Sequence, residues 1–338
     1  MISVFHVLRF LFISMIFFFH FGVFPYGYSA VTFFFILSGF GLMYGYGEKV
    51  QAADFGYSNF LKKRLAKVYP THLLCLVLFV VLQLSFDHAV RYGKLIPTIF
   101  LVQSFVPKMS VYNAGNGVSW FLSDTVFFYA LFPFLGRWLV HLPVKRIVKY
   151  VAWALVAYFL LICVIPQKFQ HGIFYINPLL RLFDFVEGML LCRLYFYLKT
   201  QNWSRMKSGS LFVSSFLLYA LAMSVNYAIQ EPYGETYNVF SFAALYWIPC
   251  GLIVLSSALF NPTCKGFFVR LGAYSFPFYM VHQLFVLGVD EVFPHVGAWD
   301  NIYLRLVVLF PICYGVAYLI YQYFEKPVSG WLKAKYIR

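Results

Sequence analysis

Apolar residues in this chain come in long blocks, separated by short polar breaks, rather than as one stripe per helix or as strand-like alternation. A helix needs about 20 mostly apolar residues to cross a bilayer. Blocks that meet or approach this length lie at 4–24, 28–46, 70–86, 119–136, 146–165, 176–196, 210–229, 238–260, 271–290 and 302–324. The stretch 95–106 is apolar but about half as long as a span requires; it fits a short crossing, a re-entrant piece or a surface helix. The pattern predicts an all-α, polytopic membrane bundle of about ten transmembrane helices. No repeat or soluble appendage interrupts the blocks, so 1–338 reads as a single membrane-embedded domain.

Charge supplies the orientation. Of the 338 residues only 11% are charged, against roughly 25% in soluble domains. With the N-terminus inside and 95–106 not crossing, eighteen of the 26 Lys and Arg fall in inside loops and four in outside loops, and four lie inside spans. Letting 95–106 cross would reverse every later loop and erase the asymmetry. Cytoplasmic loops carry the excess of Lys and Arg, so both termini are expected in the cytoplasm. The net charge of +14 is spread over many loops and forms no basic stripe with interleaved aromatics, which argues against nucleic acid as a partner. The six cysteines are isolated and lack metal-ligand spacing, so neither a disulfide framework nor a metal is expected. Residues 1–23 lack a basic leader followed by a cleavage site, and they read as a retained first span.

Most loops are short, so chemistry must come from ionisable residues within or beside the spans, where such groups are functional candidates by default. Arg9 and His20 are eleven residues apart, which on a helix leaves them about 20° apart in angle and about 16 Å apart in height. Arg9 is expected near the cytoplasmic end and His20 in the outer third. The basic run Lys62-Lys63-Arg64 to Lys67, before Tyr69-Pro70, puts Arg64 and Lys67 at i,i+3 on one face. It suits either an anion or lipid headgroups. Arg181, Asp184 and Glu187 repeat every third residue, as a catalytic strip or a self-neutralising ladder. Asp124, just after Trp120, can orient a histidine or accept hydrogen bonds, and His282 falls near mid-span. Cations thus gather at the inner side and acid/base groups toward the outer side.

These segments, in this order, resemble the acyltransferase-3 family of membrane acyltransferases. The resemblance rests on Arg9 and His20, Phe33 to Phe40, the basic run ending Val68-Tyr69-Pro70, and Ser119 to Ser123 with Tyr129 to Pro133. Arg181 to Gly188, Leu271 to Ser275 running to His282, and Phe324-Glu325-Lys326-Pro327 complete it. It implies transfer of an acyl group, commonly acetyl from acetyl-CoA, to a hydroxyl of a carbohydrate such as a surface polysaccharide or its lipid-linked precursor. It also implies a bacterial cytoplasmic membrane and a catalytic His20, to which the residues themselves add Asp124 and His282 as further catalytic candidates. Arg9, Arg64 and Lys67 would hold the donor, and Trp120, Arg181, Asp184 and Glu187 would serve substrate or structure. Two departures stand out: Lys67 occupies a place the family often gives to Arg, and Asp124 precedes by one position the Glu of many members. The competing reading is a transporter of a lipid-linked saccharide, which also needs intramembrane charge.

Overall fold

The computed structural model describes residues 2–143, 146–292 and 301–337, and no strand occurs among them. Lys145, one of the expected inside-loop cations, lies outside the described residues. In chain order the helices are α1 (Val4–His20), α2 (Gly27–Tyr46), α3 (Tyr57–Ser85), α4 (Tyr92–Ile99), α5 (Met109–Tyr112), α6 (Trp120–Val140), α7 (Arg146–Val164) and α8 (Gln167–Gln170). They continue with α9 (Pro178–Thr200), α10 (Arg205–Ser241), α11 (Ala244–Phe260), α12 (Phe267–Ala273), α13 (Ser275–Val292), α14 (Ile302–Ile320) and α15 (Lys326–Tyr336). Eight of the ten expected blocks fall mainly on one helix each, whereas 238–260 crosses from the end of α10 into α11 and 271–290 from α12 into α13. Five stretches, Gly27–Tyr46, Tyr57–Ser85, Gly117–Val140, Arg205–Ala228 and Ile302–Tyr336, are long and apolar enough to cross a membrane. Four further apolar helices, Val4–His20, Val148–Val164, Ala244–Phe260 and Ser275–Val289, are shorter than that measure. The tenth, α9, is long enough but carries Arg181, Asp184, Glu187, Arg193 and Lys199.

Local signals set several helix ends. Asn177 caps α9 by accepting from the Leu179 N–H at 3.0 Å, with Pro178 at the first helical position. Asn301 caps α14 through the N–H groups of Tyr303 and Leu304. Asn261 stops α11 in the left-handed conformation, at φ 41°.

The chain forms two compact units, Met1–Phe5, Tyr28–Phe55 and Ala130–Lys265 in one, and His6–Gly27, Gly56–Tyr129 and Gly266–Arg338 in the other. In the first, α2 and α9 approach so closely at Gly39 and Gly188 that a Cβ on either would run into the other helix's backbone, at the Phe185 and Ile36 carbonyls. Small residues let helix backbones meet where lipid offers no hydrophobic driving force.

In the second unit α13 packs on α3 and α14, and α15 packs on α3. An aromatic layer of Phe17, Phe278, Phe310 and Tyr314 fills the space among α1, α13 and α14, with Phe278 and Tyr314 centroids 4.1 Å apart. Gly272 sits against the His6 carbonyl, where a side chain would clash.

The 95–106 stretch is not one continuous helix. It holds the end of α4, only eight residues or about 12 Å long. A left-handed residue follows at Leu101, and then a 3-10 turn at Gln103–Phe105. Its backbone is satisfied by protein: Tyr69 donates to the Ile99 carbonyl at 2.8 Å and His72 Nε2 donates to the Thr98 carbonyl at 2.9 Å. Thr98 in turn donates to the Ala114 carbonyl at 3.0 Å. Tyr69 and His72 lie near the middle of the 29-residue α3, so the stretch docks part-way down a long helix.

Candidate active site

The second unit gathers Arg9, His20, Arg64, Lys67, Trp120, Asp124 and His282. Arg181, Asp184 and Glu187 belong to the first.

At one end of α1, His20 meets His282 of α13, with His282 Nε2 3.1 Å from His20 Nδ1. His20 Nδ1 is also 3.0 Å from the Ile16 carbonyl, one turn back on its own helix. His282 Nδ1 is 2.6 Å from the Tyr279 carbonyl. The His282 ring is fully buried and stacks on Phe278, with planes 8° apart. His20 keeps accessible surface. The contact spans 262 residues of sequence, and nothing in helical periodicity announces it. The group on His20 Nδ1 is therefore a second imidazole.

Nearer the start of α1 the surroundings are cationic. Lys67 lies within electrostatic reach of Arg9, Arg64, Glu325 and Lys333, and His6 lies within reach of Arg9 and Lys67. Arg64 lies over the rings of Phe60 and Tyr129, at 5.6 and 5.7 Å. Arg9 interacts with Tyr129 as well. Lys67 remains accessible, and Arg9 and Arg64 partly so, although protein surrounds all three closely. Two partners of this cluster went unassigned in the sequence. Glu325 is buried, accepts from Thr71 Oγ1 at 3.3 Å and balances Lys67. Tyr129 supplies a ring and hydroxyl beside both arginines. An acid at the end of the last apolar block was the available signal for Glu325; Tyr129 had none beyond its place in a motif.

Asp124 is fully buried near the start of α6. Beside it Ser123 pairs with Ser104 at 2.6 Å, and Ser119 accepts from Gln103 at 3.2 Å. Trp120 is buried on the same turn, edge-on to Phe121, whose ring faces Tyr279 at 5.2 Å. Tyr279 donates to the Val118 carbonyl at 2.8 Å, and Asn116 donates to the Met280 carbonyl at 2.7 Å. The segment leading into α6 is thereby tied to the α13 turn that carries His282.

In the first unit Arg181 and Asp184 have no exposed surface and pair at 3.0 Å. Trp247 Nε1 donates to the other Asp184 oxygen. Arg181 also donates to Thr32 Oγ1 at 3.2 Å and lies over Phe35 and Tyr175. Glu187 stands one turn on from Asp184, its Oε1 packed where Gly251 leaves room for it. Arg181 and Asp184 are buried and paired with each other, unlike the accessible groups on α1 and α3, and Glu187 is half-buried. Among the described residues no group of three or more His, Cys, Asp or Glu gathers as metal ligands would.

Comparison with known proteins bears on this arrangement. The acyltransferase-3 family, an acyltransferase domain, matches residues 2–322. The chain is also 29% identical over 286 residues to a Streptomyces mycarofaciens protein named Acyltransferase MdmB, covering 77% of this chain and 68% of that one. No solved structure matches.

Proposed function

This chain belongs to the acyltransferase-3 family and is an acyltransferase, and from that premise we propose that it moves an acyl group, acetyl first among candidates, from acyl-CoA to a hydroxyl of a carbohydrate. The acceptor is a surface or exported polysaccharide or its lipid-linked precursor. The observation that carries this reading is that one compact unit holds an accessible histidine at one end of α1 and a cationic cluster toward the other. The intramembrane charge would also suit a transporter, but the family and the relative are both acyltransferases, which favours acyl transfer.

In the mechanism we infer, Arg9, Arg64 and Lys67 hold the CoA phosphates by charge-assisted hydrogen bonds. Glu325 and Thr71 keep Lys67 in place. About 16 Å along the helix, a distance a pantetheine arm bridges, His20 faces the thioester and the acceptor. His20 Nε2 removes the hydroxyl proton as the oxygen attacks the acyl carbonyl. The new C–O bond forms, the C–S bond breaks, and the proton returns to the departing thiolate. No covalent enzyme intermediate is needed. The whole of 1–338 acts as one membrane-embedded catalytic domain in the cytoplasmic membrane, with about ten crossings and both termini cytoplasmic.

Two expected results test this reading. Arg64→Ala and Lys67→Ala should raise the Michaelis constant for the acyl-CoA about tenfold each, on the order of one lost charge-assisted contact, with the acceptor constant little changed. Steady-state kinetics in detergent or nanodiscs measures both. An unchanged donor constant with a worsened acceptor constant would move these cations out of the donor site. For topology, single cysteines placed in 137–145 and 261–270 should react with a membrane-impermeant thiol reagent only after the cells are broken. Labelling in intact cells rules out the orientation.

A further inference from the structure

The hydrogen-bond geometry of the two histidines determines where their protons sit. A backbone carbonyl only accepts, so Ile16 O at 3.0 Å from His20 Nδ1 requires that nitrogen to carry hydrogen. Tyr279 O, 2.6 Å from His282 Nδ1, places the same requirement on His282. His282 Nε2 then faces His20 Nδ1–H at 3.1 Å. A second proton on His282 would set two N–H groups against each other, so His282 is a neutral acceptor. His20 is left as the Nδ1–H tautomer, and its basic lone pair lies on Nε2, on a ring that keeps accessible surface.

The geometry points to His282 as the positioning residue for His20: together with the Ile16 carbonyl it holds the tautomer that leaves Nε2 free, and it stabilises the imidazolium that forms when His20 takes a proton. The inference rests on His20 being the base. His282 does not itself exchange a proton with substrate; it is fully buried behind His20, against Phe278. A serine-protease carboxylate does a similar job with a formal negative charge. A neutral imidazole instead offers a directed lone pair without holding a proton on the resting base. Two hydrogen bonds behind His282 support this. Asn116 on the Met280 carbonyl and Tyr279 on the Val118 carbonyl fasten the α13 turn on which His282 stands. Sub-ångström errors in that turn would break the imidazole–imidazole bond.

The test is kinetic, on full-length protein in nanodiscs, with activity expressed per folded molecule. His282→Phe keeps a flat ring on Phe278 and removes the acceptor. Its kcat should fall about 10- to 100-fold, the usual consequence of losing a group that orients a functional histidine, with both Michaelis constants unchanged. His282→Gln places an amide oxygen near the position of Nε2 and should recover most of that loss. His282→Asn is too short to reach His20 and should not, so Gln against Asn decides the matter if the Phe variant fails to fold. Equal kcat in Gln and Asn, or wild-type kcat in Phe, overturns the assignment of His282. If His20→Gln itself remains active, the failure belongs to the base and not to its partner.

Discussion

His20→Gln should lower the rate of acyl transfer by about 10²–10⁴, the range expected when a general base is lost, while the protein still inserts at wild-type abundance. Glutamine keeps a hydrogen-bonding side chain of similar reach. It cannot take a proton at neutral pH. His20→Ala should be as inactive, and its similarity to Gln would place the defect in proton transfer rather than packing. Donor binding should survive in both variants, because Arg9, Arg64 and Lys67 lie toward the other end of α1. Single-turnover assays with labelled acyl-CoA would read the rate, and equilibrium binding of CoA would read the donor site. Retention of most activity by His20→Gln at normal abundance would make the histidine structural.

A second large effect is expected from the buried pair in the other unit. Arg181 and Asp184 have no exposed surface, and Asp184 is the carboxylate that neutralises the guanidinium at 3.0 Å. Removing one member of such a pair costs about 3–5 kcal/mol because the remaining charge stays buried without its partner. Asp184→Leu should therefore sharply reduce the amount of folded protein and its midpoint of thermal unfolding. The Thr32 and Phe242 oxygens near Arg181 cannot replace a formal charge. Arg181→Met combined with Asp184→Leu removes both charges and should restore most of the stability, since an apolar replacement of a buried ion pair is often neutral. Thermal-shift and abundance measurements on the single and double variants provide the comparison. If Asp184→Leu is as stable as the parent, the pair does not hold this unit together.

The all-helical membrane class and the shared face of Arg9 and His20 were legible in the sequence, because both follow from local rules. A block of about 20 apolar residues is a candidate spanning helix on its own composition. The eleven-residue spacing puts Arg9 and His20 on one face of α1 without reference to any partner. Periodicity reports which way a side chain points but not what it meets. His282 read as a solitary mid-span histidine until the fold brought it to His20 across 262 residues. Glu325 was part of a closing motif with no assigned role until α15 and the turn before it packed on α3.

Depth estimates grouped Arg181, Asp184 and Glu187 with the outer acid/base residues, yet Arg181 and Asp184 form a dry pair in a different compact unit. Height along the membrane normal carries no lateral information. The 95–106 stretch was ambiguous because length alone cannot separate a short span from a re-entrant piece. Its fold depends on Tyr69 and His72 reaching its carbonyls from α3.

The most direct test of acyl transfer to carbohydrate is the O-acyl ester content of surface glycan from cells carrying this chain, from cells without it and from cells with His20→Gln. Esters should be present in the first and absent from the other two, at equal amounts of total glycan, by mass spectrometry and proton NMR of the purified polymer. Equal ester content in all three, or loss of the polymer itself rather than of its esters, would contradict acyl transfer to this acceptor.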